Sequence, residues 1–448
     1  MERLSFFFVI TLFLSAGLFA DGTEPIGSGT EADPYQVETL DNLLWMSTNS
    51  SSLDKHYIQT TDIDASDTQN WNDGEGFSPI RDESGTSFTG SYNGQFHFID
   101  GLYINRPSVG GQGLFYFTNN AVIENLGIIN VNLSGHSYVG VLVAINGNNS
   151  SINNCYSTGS VSGSLSVGGL VGTNQNNSTI SNCYSTGIVY GADQYVGGLV
   201  GVNLDSSTIS NSYSIADVSV VNDYVGGLVG LNQNNSTIGN CYSTGNVCGS
   251  NQYVGGLVGD DYESTVSNSF WDIETSNQTT SAGGTGKTTA EMKTVATFTS
   301  LTTIGLNVPW DFVGNPFDDI GNEDYWDIGN LINGGYPFLV SLPVVGTYDV
   351  MTEILEVPEL NSNYPNPFNP ETTISFSIPE DSNVDISIYN IKGQKVKTIA
   401  HNQYEKGNHS IVWNGIDESG ETIVSGVYFY KLYVNGQSIS VKKCLMLK

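Results

Sequence analysis

The phrase Val-Gly-Gly-Leu-Val-Gly begins at Val167, Val196, Val225 and Val254, and a degenerate copy, Val-Gly-Val-Leu-Val-Ala, begins at Val139, in steps of 28, 29, 29 and 29 residues. A second phrase keeps the same period: Asn-Cys-Tyr-Ser-Thr-Gly at Asn154, Asn182 and Asn240, with Asn-Ser-Tyr-Ser at Asn211 and Asn-Ser-Phe-Trp at Asn268. Two phrases sharing one period define a coil, and repeated coils restrict the chain to a stacked architecture. The coils lack helical apolar spacing and offer short β-rich pieces such as Thr179-Ile180 and Ile188-Val189-Tyr190 between Gly, Asn and Ser clusters, which excludes a helical solenoid. Glycine and asparagine tolerate left-handed backbone angles and can turn the chain at coil corners. One coil cannot bury its apolar face. Coils stacked at ~4.8 Å pair their backbones and enclose a continuous column of Val, Leu and Ile.

The flanks differ from the coils. Arg3 precedes an apolar run from Phe6 to Leu14 and small residues at Ser15, Ala16, Gly17 and Ala20, the pattern of a secretory signal peptide over residues 1–20. The run is shorter than the ~20 residues a membrane-spanning helix needs. From Gly346 onward there are eight Lys against 12 Asp and Glu, a net of -4, whereas the preceding residues carry -27 of the total -31. Two domains are therefore expected, a coil domain over 21–345 and a C-terminal domain over 360–448, joined by an acidic, Pro-containing link over 346–359. In the C-terminal part apolar and polar residues alternate at Thr373 to Ile378, Val384 to Tyr389 and Val427 to Val434, and Gly393, Gly407, Gly420 and Gly436 mark turns, which predicts a small antiparallel sandwich of about seven strands.

Charge and motifs exclude several functions. A net charge of -31 repels phosphate backbones and anionic membrane surfaces, so nucleic acid is not an expected partner. Between Arg106 and Lys287 there is no Lys or Arg and only His136, leaving no base for a polysaccharide lyase. Asp193 and Asp223, in equivalent loops of adjacent coils, are the carboxylates a glycosidase would need, but solvated loop acids are the simpler reading. His56, His97, His136, His401 and His409 contain no pair four apart around a Glu, the zinc-protease signature. Gly284-Thr285-Gly286-Lys287-Thr288 resembles a phosphate loop, but Ser281 stands where its first glycine belongs; a flexible turn leaving the last coil is expected instead. Acid clusters at Asp62, Asp64 and Asp67, and at Asp318, Asp319, Glu323 and Asp324, have the chemistry of structural calcium but match no calcium motif. No cofactor is expected. The five cysteines have no metal-ligand spacing, and Cys155, Cys183, Cys241 and Cys248 read as small apolar residues ahead of a disulfide framework.

Two aromatic files rise above this background. Tyr156, Tyr184, Tyr213, Tyr242 and Phe270 occupy one coil position, and Tyr195, Tyr224 and Tyr253 another. The period aligns each file without giving its facing. An outward file is a binding surface for sugar or a protein partner; an inward file is a core ladder, and the adjacent Cys155, Cys183, Ser212, Cys241 and Ser269 are small enough to be the inward file instead.

The repeats resemble the GLUG motif of bacterial surface proteins, carried by Gly169-Leu170-Val171-Gly172, Gly198-Leu199-Val200-Gly201, Gly227-Leu228-Val229-Gly230 and Gly256-Leu257-Val258-Gly259. The resemblance implies an all-β fold, a right-handed parallel β-helix of the pectate-lyase-like class, with Phe88 to Gly94 and Gly101 to Ile104 in opening coils and Trp326 to Ile328 and Gly335 to Leu339 in a closing element. The C-terminal segment Asn363-Tyr364-Pro365-Asn366-Pro367-Phe368-Asn369-Pro370, with Trp413-Asn414-Gly415 and Gly426 to Tyr430, resembles the type A sorting domain of type IX secretion, related to the Ig-like domain of flagellar hook-capping proteins. That resemblance implies a small Ig-like antiparallel β-sandwich, the type IX machinery as a partner, and a secreted or outer-surface location on a Gram-negative bacterium. Together these point to a noncatalytic exported protein that binds a glycan or surface protein through its coils. A cryptic carbohydrate-active hydrolase and a structural spacer are the alternatives.

Overall fold

The computed structural model describes residues 22–81, 87–249, 252–313, 324–329, 332–343, 359–360, 363, 366–378, 381–404, 407–435 and 437–447. The signal segment, most of the link, and Asp318, Asp319 and Glu323 lie outside these residues. The chain divides into two compact units, Met1–Tyr348 and Asp349–Lys448.

The first unit is a β-solenoid. One inward file runs through Tyr35, Tyr57, Tyr92, Ile123, Ile152, Ile180, Ile209 and Ile238, each in parallel register with the next. A separate parallel sheet stacks Phe115–Asn119, Val143–Gly147, Val171–Asn174, Val200–Asn203, Val229–Gln233 and Val258–Tyr262. The enclosed column of Val, Ile and Leu is buried. Its N-terminal end carries the helix Leu40–Thr48, capped by Thr39, which buries Leu43, Trp45 and Met46.

A file of buried asparagines inside the solenoid is paired from coil to coil. Asn146 Nδ2 donates to Asn174 Oδ1, Asn174 to Asn203 and Asn203 to Asn232, each at 2.8 Å, and all four side chains are fully buried. Every amide points the same way along the axis. The ladder therefore begins at a donor, Thr118 Oγ1, and ends at an acceptor, Asp261 Oδ1, 2.7 Å from Asn232 Nδ2. The Cys/Ser file lies in the core, as its small size permits. Cys183 N–H donates to Ser212 Oγ at 3.1 Å and Cys241 N–H to Ser269 Oγ at 3.1 Å. The five cysteines are free thiols, and only Cys248 is exposed.

Corners explain the repeat phrases. Asn154, Asn182, Asn211 and Asn240 turn the chain with φ of 52, 53, 45 and 55°, the left-handed region that asparagine enters most readily among non-glycine residues. The glycines of the Val-Gly-Gly-Leu-Val-Gly phrase do something else. They keep negative φ and are required by close approach: a Cβ on Gly198 would sit 2.2 Å from Gly227 O, and one on Gly197 2.0 Å from Val200 O. The expectation that glycine serves these coils by turning them is corrected at these positions, where neighbouring backbones leave no room for a side chain.

After the last coil, Thr285–Lys287 pairs in parallel with Phe270–Asp272. The expected flexible turn is thus a further rung, and Lys287 is buried, its Nζ 5.6 Å from the Phe270 ring centroid. Two short helices follow, Thr289–Met292 and Ala296–Thr299, then an antiparallel pair, Trp326–Asp327 with Phe338–Leu339. This segment runs back along the solenoid as a strap.

Among the described residues the second unit is a seven-stranded sandwich. Glu359–Leu360, Thr372–Ile378 and Gly407–Trp413 form one antiparallel sheet. Ser382–Asn390, Lys395–Tyr404, Gly426–Val434 and Gln437–Met446 form the other. Inward residues such as Ile374, Phe376, Ile386, Ile388, Trp413 and Leu432 make its core, and Cys444 is buried among them. Gly393 and Gly420 turn the chain with φ of 75 and 87°. Gly407, expected at a turn, instead opens a strand.

Candidate functional site

The first aromatic file points away from the solenoid interior yet is not a free surface. Tyr156, Tyr184, Tyr213 and Tyr242 stack with centroids 4.9–5.0 Å apart and planes within 10°. The alternation Cys155 in, Tyr156 out, Ser157 in is kept in later coils, where Ser185 and Ser243 turn inward to donate to Gly198 O and Gly256 O. Gly127 ends the file because the Tyr156 ring occupies the space a Cβ there would take.

The strap covers this file rung by rung. Phe298 and Trp310 pack on Phe270 at 5.6 and 6.1 Å, and Trp326 packs on Tyr242 and Tyr213 at 5.9 and 6.1 Å. Tyr184 Oη donates to Pro343 O, and Ser341 Oγ reaches Asn154 Oδ1 at 3.3 Å. Tyr242 Oη donates to Pro337 O at 2.5 Å and accepts from Asn333 Nδ2 at 2.7 Å. Buried Asp272 anchors the strap by accepting from Tyr336 Oη and Thr289 Oγ1, both at 2.7 Å. No ring of Tyr156, Tyr184, Tyr213, Tyr242 or Phe270 is more than 2% exposed. These five are therefore corrected from a binding surface to the seat of the closing element, since apolar rings left outward are stabilised by cover.

The second file remains at the surface. Tyr195 and Tyr224 are half-buried and Tyr253 is 43% exposed. Their centroids are 4.9 and 4.5 Å apart, with the Tyr224 and Tyr253 planes at 4°. Tyr224 and Tyr253 are thus a stacked pair, while the Tyr195 ring is tilted by 42° against Tyr224. Each tyrosine is a corner residue with φ of 60, 65 and 63°. A bulky residue in that region is strained, at ~1–3 kcal/mol. The corner is supported by the third glycine of the next repeat phrase: Gly230, where a Cβ would fall 2.7 Å from Tyr195 C. The period revealed this file, whereas its left-handed backbone had no signal, because tyrosine is not a residue read as a turn former.

Acidic groups flank the second file. Asp223 Oδ1 is buried, and among the described residues nothing donates to it. Burial, then the neighbouring Tyr253, Tyr195, Asp260 and Asp223, raise the Tyr224 phenol above its usual range. Asp193 Oδ1 accepts from Asn222 Nδ2 at 2.9 Å, so the coil position equivalent to Asp193 holds an amide and the two aspartates are offset by one residue. Among the described residues no three His, Cys, Asp or Glu converge as a metal site. Asp62, Asp64 and Asp67 each take separate partners: His97 and Phe98 N–H for Asp62, Ser66 N–H for Asp64, and Asn70 for Asp67.

Comparison with known proteins agrees with this architecture. The GLUG motif matches residues 135–162, 163–190, 192–219 and 222–247, and the FlgD Ig-like domain matches residues 363–438. Halomucin of Haloquadratum walsbyi is 37% identical over 139 residues, which is 31% of this chain and 2% of halomucin. The chain thus spans a small fraction of that relative. A candidate immunoglobulin A1 protease of Bacteroides ovatus has a similar crystal structure, with a TM-score of 0.50 and 20% identity over 71% of this chain and 95% of that one, a likeness of fold alone. No helix among the described residues is long and apolar enough to cross a membrane. Four repeats in register, a solenoid built from them and a sandwich behind them make this chain a GLUG-motif β-helix protein with a C-terminal Ig-like domain.

Proposed function

We propose that the protein is a noncatalytic exported surface or secreted protein whose coils bind a glycan or a protein partner through Tyr195, Tyr224 and Tyr253, with the C-terminal domain directing type IX secretion. The carrying observation is that this aromatic file stays at the surface beside an acceptor, Asp223 Oδ1, that has no donor among the described residues. A buried carboxylate oxygen without a donor is costly, and a ligand hydroxyl would satisfy it. A row of phenol hydroxyls with acidic acceptors suits a neutral polyol, so a glycan is the favoured ligand. Export is supported by the N-terminal signal pattern together with the Asn-Tyr-Pro-Asn-Pro-Phe-Asn-Pro segment.

The test replaces Tyr195, Tyr224 and Tyr253 together by Ser, because Ser166 already occupies the equivalent corner with φ of 56°. On a neutral glycan array the wild type should bind and the triple variant should not, with the melting temperature little changed. Equal binding by a correctly folded triple variant would remove the file from the function. Wild-type binding to proteins but to no glycan would select the protein partner.

A further inference from the structure

We infer that the outer face of the four-stranded sheet in the C-terminal domain carries a binding site for an acidic saccharide. Strand register places Asp385 between His401 and Tyr433, Ser387 between Thr398 and Lys431, and Tyr389 between Lys395 and Phe429. The alternating residues Val384, Ile386 and Ile388 face the core. Ser387 is nevertheless only 3% exposed on this outer face. It forms the floor of a concavity of about 560 Å³ walled by Tyr389, Tyr433, Lys395 and His401. That volume falls in the ~300–1,000 Å³ range of small-ligand sites.

The polar groups there are held in place. Asp385 Oδ1 accepts from Ser387 Oγ at 2.8 Å and its Oδ2 lies 3.0 Å from His401 Nδ1. The Tyr389 and Tyr433 side chains line the concavity together. Two ammonium groups complete the face: Lys395 Nζ donates to the Thr398 hydroxyl at 3.1 Å, and Lys431 Nζ stands 5.1 Å from the Tyr389 ring centroid. Among the described residues neither pairs with a carboxylate. In a chain of net charge -31, two cations that have no carboxylate partner among the described residues and stand beside one concavity mark where an external carboxylate is accepted. The tyrosine hydroxyls and the Asp385–His401 pair supply donors and acceptors for ring hydroxyls, and the Tyr389 ring supplies apolar area.

The test is isothermal titration of the full chain with tetragalacturonate, with its neutral methyl ester, and with sodium acetate. Saturable binding is expected for tetragalacturonate alone. The double variant Lys395→Gln, Lys431→Gln should weaken it at least about tenfold, a difference of about 1.4 kcal/mol. The Tyr195, Tyr224, Tyr253→Ser variant should leave it unchanged, which separates this site from the coil file. Equal affinity for the ester, acetate binding as tightly as the tetrasaccharide, or an unchanged affinity in the folded lysine variant would each overturn the assignment.

Discussion

Two neighbouring rungs of the covered tyrosine file allow one oxygen atom to be deleted in two different settings. Tyr213 and Tyr242 are both fully buried and stacked on each other at 4.9 Å with planes at 5°, so replacement by Phe keeps the ring packing. At Tyr242 the hydroxyl donates to Pro337 O and accepts from Asn333 Nδ2, and its loss removes two bonds that seat the strap. At ~0.5–1.5 kcal/mol for each bond, Tyr242→Phe should cost about 1–3 kcal/mol. The Tyr213 hydroxyl is buried with no partner among the described residues. Its removal relieves a desolvation penalty of ~1–3 kcal/mol, so Tyr213→Phe should be neutral or stabilising. Urea denaturation monitored by tryptophan fluorescence would read the difference, because Trp326 lies against both rings. Equal destabilisation by the two variants would show that Tyr213 has a bonded hydroxyl and would refute the claim that particular rungs fasten the strap.

Other outcomes follow from the same contacts. Burial raises the phenols of Tyr92, Tyr213 and Tyr242 above the 10.0 of a free tyrosine. The folded state then keeps protons that the unfolded state loses, so this stability is complete below pH 10 and declines above it, by about 1.4 kcal/mol per group per pH unit; urea midpoints that stay flat from pH 9 to pH 11 would contradict it. Deletion of Val196 to Tyr224, one whole repeat, should leave a cooperative β-solenoid by circular dichroism but shift the strap one rung out of register, lowering the melting temperature and exposing tryptophan, whereas half a repeat should abolish cooperative melting. Truncation before Leu360 should strand the protein in the periplasm, and normal surface or medium levels on fractionation would contradict the proposed sorting role.

Legibility in the sequence followed locality. The strands predicted at Thr373 to Ile378, Val384 to Tyr389 and Val427 to Val434 appear as Thr372–Ile378, Ser382–Asn390 and Gly426–Val434, because period-two alternation is written residue by residue. Gly407 was harder to place, since a glycine opening a strand and a glycine in a turn have the same one-letter context. The asparagine ladder was unmarked for a related reason. Asn174 and Asn203 resemble the corner asparagines in composition, and only their position on a strand facing inward makes them a hydrogen-bonded file.

The repeat by itself determined the coil, its length and the aligned columns of side chains, because identical residues one period apart must stack when backbones pair at a constant rise. It also marked asparagine as a class of corner residue, and the chain does turn at Asn154, Asn182, Asn211 and Asn240, where the backbone preference belongs to the residue itself. Tertiary structure alone decided which tyrosine file is free. Tyr184 is covered by Pro343, 159 residues away, and Tyr242 by Pro337, 95 residues away. Burial depends on what the chain brings back across a surface, and nothing in the spacing of one coil encodes that return.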